Sequence, residues 1–259
     1  MAFSTIILIL SIYGLTKLKV ENSFINYFDK KTEIYQGMKL IDEKLGGTTP
    51  LEIILKFKDS DSKSNKNDDD FFQDSDSNEY KDSYWFTNFR VNNIVNVHQY
   101  LETLPEIGKV LSFYSVLQLG EKINDNKKLG PLEMAILHSK LPEDIKKNII
   151  TPYISIDDNE ARISLRIIDS NPELNRKELL IKIQKDLEEK LQLKKEEFKI
   201  TGILVIFNNL LQSLFDSQIK TLGITFAGIF LLLLILFKSF WWSVVAAIPN
   251  FTAALFILG

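Results

Sequence analysis

The chain holds 259 residues, 45% of them hydrophobic and 25% charged, with a formal net charge of −3 and no cysteine. That acidic balance, with no basic stripe to modify it, speaks against a nucleic-acid partner, and the lack of thiols excludes structural disulfides and thiolate metal sites. The roughly 200 residues between the apolar ends suffice for one sizeable domain or two small ones with a real core.

The first apolar run, AFSTIILILSIYGL at 2–15, precedes Lys17 and Lys19. It is short against the roughly 20 residues of a full span, with no basic residue ahead of it and no small-x-small cleavage site behind it. It therefore reads as the end of a first transmembrane helix at 1–16, with a short signal-anchor as the alternative. Between 32 and 45, Ile34, Tyr35, Met38, Leu40, Ile41 and Leu45 recur at helical spacing, and Gly46-Gly47 follows as a stop. Pro50 opens PLEIILKF, a buried strand by its run of β-branched residues and leucine. The stretch 59–83 holds eight Asp and one Glu against three Lys. Self-repulsion and few apolar residues predict a disordered acidic insertion there. Its Asp74-Ser75-Asp76-Ser77-Asn78 opening has the form of a calcium loop, but Glu79 stands where the glycine belongs and Trp85 where the bidentate Glu belongs.

Regular patterning resumes with a helix ending near Leu104, a short strand at 109–113 and a second helix from about Ser115. Alternation on either side of Asp157-Asp158-Asn159 predicts a hairpin across 153–169. Asn171-Pro172 leads into a helix over 172–191, with Leu174, Leu179, Leu180, Ile183, Leu187 and Leu191 on one face, and a strand runs from Phe198 to about Val205. Strand, helix and strand thus occur twice. This predicts an α+β domain over 17–219, two β-α-β units sharing a sheet of ferredoxin-like type.

An amphipathic helix, NNLLQSLFDSQIK, then enters a second transmembrane helix at 220–238, whose charge-free stretch TLGITFAGIFLLLLILF has twelve Leu, Ile or Phe residues. Each of these contributes about −0.3 to −0.6 kcal/mol at a helix centre, and no charge opposes insertion. The last run, 239–259, is charge-free as well and reads as a third transmembrane helix. One helix through both runs would be about 58 Å long, nearly twice the hydrocarbon thickness of roughly 30 Å, so a turn is expected at Lys238-Ser239. Trp241 and Trp242 then fall in the interfacial belt, while the positive-inside rule gives no orientation across so long a loop.

No phosphate-cradling glycine loop, nucleophile elbow, H-E-x-x-H or Cys-His cluster is present. No catalytic, cofactor, metal or proton-relay residue is therefore assigned, and no enzymatic activity is expected. His98 and His138 stand far apart and each reads as a solvated histidine on a polar face. Asp216 and Lys220 read as an i, i+4 pair at the membrane surface. The Asn250-Phe251-Thr252 sequon falls inside the last span, where no glycan attaches, and Asn250 beside Pro249 reads as a side chain bonding across to a neighbouring helix.

The succession VENSFINYFD, LGGTTPLEIILKF, LPEIGKVLSFYSV, FKITGILVIFNNLLQSLFDSQ and LFKSFWWSVVAAIPNFTAALFILG resembles the resistance-nodulation-division (RND) exporters, particularly their MMPL-type branch. Its most specific pieces are the TG-x-x-V entry at Thr201 and Gly202, and the F-K-S turn followed by Ile248-Pro249-Asn250. The resemblance implies a proton-driven exporter of hydrophobic or lipid-like substrates in the cell (inner) membrane, multi-pass, with the large porter domain extracytoplasmic. The chain would be a truncated fragment of it, carrying the end of the first helix, the first porter domain and the next two helices. Partners so implied are the lipid bilayer, the substrate, the remainder of the transporter and a homo-oligomeric copy. The proton-relaying acids of that family lie on a later helix, so the resemblance carries none onto this chain. The alternative is a membrane-anchored extracytoplasmic ligand-binding or scaffold protein without transport.

Overall fold

The computed structural model describes residues 23–58, 85–125, 127–130, 133–134, 140–171 and 173–258. The acidic insertion with its calcium-loop opening, the N-terminal apolar run and His138 lie outside the described residues. The chain divides into two units, Ser23–Ile206 and, among the described residues, everything from Phe207 onward.

In the first unit four helices begin where a side-chain oxygen meets an orphan amide. Thr32 caps α1 (Glu33–Lys44), Thr87 caps α2 (Asn88–Glu102), Ser112 caps α3 (Phe113–Ile123) and Asn175 caps α4 (Arg176–Glu189), each accepting a backbone N–H two or three residues on. Ser112 and Ser115 form a reciprocal capping box. That cap explains why the helix expected from Ser115 starts at Phe113, and why the strand expected at 109–113 is instead β2, Ile107–Leu111.

Alternation builds the sheet. In β1 (Thr49–Lys56) Leu51, Ile53 and Leu55 point one way, and in β4 (Glu160–Ile167) Ala161, Ile163, Leu165 and Ile167 do the same. The two strands pair antiparallel in full register from Thr49 opposite Ile167 to Lys56 opposite Glu160. β5 (Phe198–Thr201) pairs with the other edge of β1, and β2 with the other edge of β4, both antiparallel. The order is β2-β4-β1-β5. The expected hairpin is present only in reduced form. β3 is two residues, Ile154–Ser155, beside Ala161 and Glu160, with Asn159 taking φ 54° in the turn. Beyond Ala161 that edge of β4 pairs with β2 instead, while β1 pairs along the whole of the opposite edge.

Over that apolar face lie α2, through Val91, Ile94, Val97 and Leu101, and α4, through Leu179, Ile183 and Leu187. Together with Leu51, Ile53, Leu55, Ile163, Leu165 and Ile167 they form one core. The other sheet face carries polar pairs such as the Arg162–Glu52 ion pair. This is an α+β unit with an antiparallel sheet.

α1 departs from the pattern its spacing suggests. Its one buried residue is Asp42, while Ile34, Leu40, Ile41 and Leu45 are exposed. β5 also stops earlier than expected, at Thr201, because Gly202 takes φ 111° and the chain enters a helix at Ile203. A Cβ on Gly202 would lie 3.2 Å from the backbone of Pro50, Leu51 and Glu52, so close approach and left-handed geometry both favour glycine.

α5 is unbroken from Ile203 to Phe237, 35 residues, and is the one helix among the described residues found long and apolar enough to cross a membrane. In the second unit it is followed by α6, Phe240–Leu258. The break between them falls at Lys238-Ser239, with Lys238 at φ 47°. Phe226 stacks on Phe251 with ring centroids 4.2 Å apart, and Phe230 meets Phe240 edge-on at 5.8 Å, so the chain doubles back.

Candidate functional site

Three groupings of side chains stand out. The first centres on His98, read from sequence as solvated but only 1% exposed in the structure. Its Nδ1 lies 2.8 Å from Ser112 Oγ, its Nε2 lies 3.1 Å from Glu102 Oε1, and the Tyr114 ring meets it edge-on at 5.1 Å. The Tyr114 amide donates to Ser112 Oγ at 3.1 Å. A single donation scheme satisfies all four groups: amide to hydroxyl, hydroxyl to Nδ1, and Nε2–H to carboxylate. It requires the neutral imidazole. Burial holds the His98 pKa below its ordinary value, against the pull of Glu102 in the other direction.

Hydroxyl, imidazole and carboxylate in a row also describe a hydrolytic triad. Ser112, however, is fully buried and its oxygen already caps α3, so no substrate reaches it. The grouping works as a clasp between α2 and α3. Sequence reasoning missed it because Ser112 lies 14 residues from His98. The His98–Glu102 spacing of one helical turn was the available signal.

The second grouping joins the ends of several elements. Asp42 Oδ1 accepts from Thr48 N at 2.8 Å, Thr48 Oγ1 at 2.7 Å and Asp169 N at 3.0 Å, and Oδ2 accepts from Ser170 N at 2.7 Å. Burial works to raise the Asp42 pKa, but these hydrogen bonds together outweigh it and hold the carboxyl below its ordinary value. Asp169 pairs with buried Arg176 and accepts from Ser23 Oγ at 2.5 Å. Every oxygen of Asp42 is occupied by its own chain. The set is structural. Further along α4, Tyr100 O–H donates to Asp186 Oδ2 at 2.7 Å, tying α2 to α4.

The third grouping lies between α5 and α6. Gly223, Phe226, Ala227, Phe230, Ala247 and Ile248 line a cleft of about 580 Å³ whose walls are almost wholly apolar. Its size suits an acyl chain or a small hydrophobic molecule, and it offers no charge to fix one.

Other residues singled out in the sequence are not brought together. Asp216 and Lys220 share one face of α5 with Asn209 and Gln212, but no ion pair joins them among the described residues. Asn250 is exposed, and its side chain makes no hydrogen bond among the described residues. The hydroxyls near it turn back on their own helix instead, Thr252 Oγ1 to Pro249 O and Ser243 Oγ to Ser239 O, each at 2.8 Å. Pro249 lies inside α6, and Trp241 and Trp242 are exposed. No group of three or more His, Cys, Asp or Glu able to hold a metal ion occurs among the described residues. No protein-family model matches the chain, and no curated protein matches it.

Proposed function

We infer that this chain supplies the first porter domain and two adjoining membrane helices of an RND-type exporter of the MMPL branch, moving hydrophobic or lipid-like substrates at the expense of a proton gradient. The observation that carries this reading is the passage from sheet to span. β5 of an antiparallel sheet ordered β2-β4-β1-β5 leads through Gly202 into one continuous helix that ends in a charge-free stretch. That order leaves β1 and β2 parallel with β4 between them, which fits the split β-α-β arrangement of ferredoxin-like domains. α6 adds 19 residues without a charge, about 28 Å of helix, which suits a further span in a multi-pass protein of the inner membrane. The exposed Trp241 and Trp242 suit a membrane interface at its start.

Neither helix holds an ionisable residue between 221 and 237 or between 239 and 258. Proton coupling needs such groups within the membrane, so in this reading they come from elsewhere in the transporter. The apolar cleft between α5 and α6 supports a hydrophobic cargo over a charged one.

The test is efflux of a fluorescent lipid analogue from cells that carry the intact gene, lack it, or carry it with residues 23–206 deleted. Efflux should fall in both altered strains, and should fall in the intact strain when an ionophore collapses the proton gradient. Efflux indifferent to all three treatments, with the protein still in the membrane fraction, would favour the second reading: a membrane-anchored binding or scaffold domain. The separate, well-closed core of Ser23–Ile206 fits that reading equally well.

A further inference from the structure

α2 and α3 are joined through groups that share a single oxygen. Ser112 Oγ caps α3 by accepting the Tyr114 amide, and the same oxygen lies 2.8 Å from His98 Nδ1 on α2. Gln99 Nε2, next along α2, donates to Tyr114 Oη at 3.3 Å. The first turn of α3 is thus held to α2 through the partners of one imidazole.

With the ring neutral, Ser112 donates to Nδ1 and accepts from Tyr114. A second proton on the ring sits at Nδ1 and turns that acceptor into a donor. Ser112 Oγ then receives two N–H groups, which takes both its lone pairs, and its own hydrogen has to find another acceptor. Ser112 is 0% exposed, so bulk water does not reach it to supply one. The buried ring is cut off from water as well. The charged group facing it is Glu102, one turn along α2, and the titratable group from α3 is Tyr114. The strands packed against α2 turn no titratable group inward: the buried residues of β2 are Ile107 and Val110, and those of β4 are Ala161, Ile163, Leu165 and Ile167. Asp186 and Lys190 of α4 meet Tyr100, which stands two residues and so about 200° round α2 from His98.

Moving the first turn of α3 away from α2 relieves both faults, because water then reaches the imidazolium and the hydroxyl. The two helices are unequally anchored against such a movement. α2 buries Val91, Ile94, Val97 and Leu101 in the core and is tied to α4 by Tyr100, whereas the buried residues of α3 are Phe113 and Leu117. α3 is therefore the one to give way. We propose that His98 and Ser112 form an acid-sensitive latch, in which a second proton on the imidazole releases α3 from α2 by local opening of the folded domain. Burial supports the direction, since it disfavours the charged ring against the pull of Glu102. The latch rests on this grouping alone and depends neither on transport nor on a membrane span.

Amide hydrogen exchange of the full-length chain in detergent, corrected for the intrinsic pH dependence of exchange, tests it. Between about pH 7.5 and about pH 5 the protection of α3 should fall about three-fold or more, a one-unit difference in pKa between open and closed states being worth up to tenfold. At both pH values α3 should be less protected than α4, because it opens without the rest of the core. His98→Gln should abolish the fall. Glu102→Gln probes the same ring from a side chain that is 52% exposed and so leaves the core intact. Because Glu102 favours the charged ring, its loss should enlarge the fall. Protection of α3 that does not change with pH, a fall that persists in His98→Gln or is not enlarged in Glu102→Gln, or α3 as well protected as α4 would overturn the latch.

Discussion

At the scale of single residues, His98 has the most to lose from a change of pH. Its scheme of hydrogen bonds needs an acceptor at Nδ1, and a proton there forces the Ser112 hydroxyl to turn away while it still caps α3. Glu102 from α2 is the charged group facing the ring, and Tyr114 from α3 the titratable one. Because the folded pKa lies below the unfolded value near 6.5, the unfolded chain binds the proton first. The stability contributed is therefore complete above about pH 6.5 and is lost as pH falls below it toward the folded value. Thermal unfolding of the detergent-solubilised chain should show its midpoint dropping between about pH 7 and pH 5, and His98→Gln should flatten that drop. An unchanged slope in the variant would contradict the assignment. Asp42 gives a second prediction at this scale. Asp42→Ala strands the Thr48, Asp169 and Ser170 amides, and should cost at least about 2–3 kcal/mol in denaturant unfolding, whereas Asp42→Asn, which keeps one acceptor oxygen, should cost less. Neither network was legible in the sequence. Their partners lie 14 and 127 residues apart, and no local period records such distances.

Elements that bury one clean face were legible, and elements that do something else were not. β1 and α4 fall within a few residues of their expected ends, because alternation and helical spacing both reflect burial in the same core. α1 has the period of a core helix, yet its buried residue is a carboxylate, since hydrogen bonds to Thr48 and to the end of β4 fix how it docks. The β3–β4 hairpin is short because β2 takes the rest of that edge of β4, from Ser164 to Ile167, while β1 pairs along the opposite edge. In α5 the length of the charge-free stretch was legible, but the start of the helix at Ile203 depended on Gly202. Two changes probe these elements. Ile183→Ala removes a fully buried side chain of α4 and should destabilise by about 2–5 kcal/mol in denaturant unfolding. Leu232→Arg puts a charge in the charge-free stretch of α5 at a cost of about 3 kcal/mol, which the other Leu, Ile and Phe residues there outweigh, so the variant should stay in the carbonate-resistant fraction.

For the whole molecule, a folded α+β unit and a long apolar helix belong to one continuous chain, and the account stands or falls on which side of a membrane each part faces. The exporter reading requires residues 23–206 outside the cytoplasm and the Lys238-Ser239 break inside it. Charge distribution does not decide this, since lysines flank the long segment at both ends and Lys238 stands alone at the break. A single cysteine placed in the otherwise cysteine-free chain does. Lys185→Cys lies on the exposed face of α4, where Lys185 is 64% exposed, and Ser239→Cys lies at the break. Intact cells treated with a membrane-impermeant thiol reagent should label Lys185→Cys and leave Ser239→Cys unlabelled until the cells are lysed. Labelling of Ser239→Cys but not of Lys185→Cys in intact cells would place the domain in the cytoplasm and contradict the exporter reading.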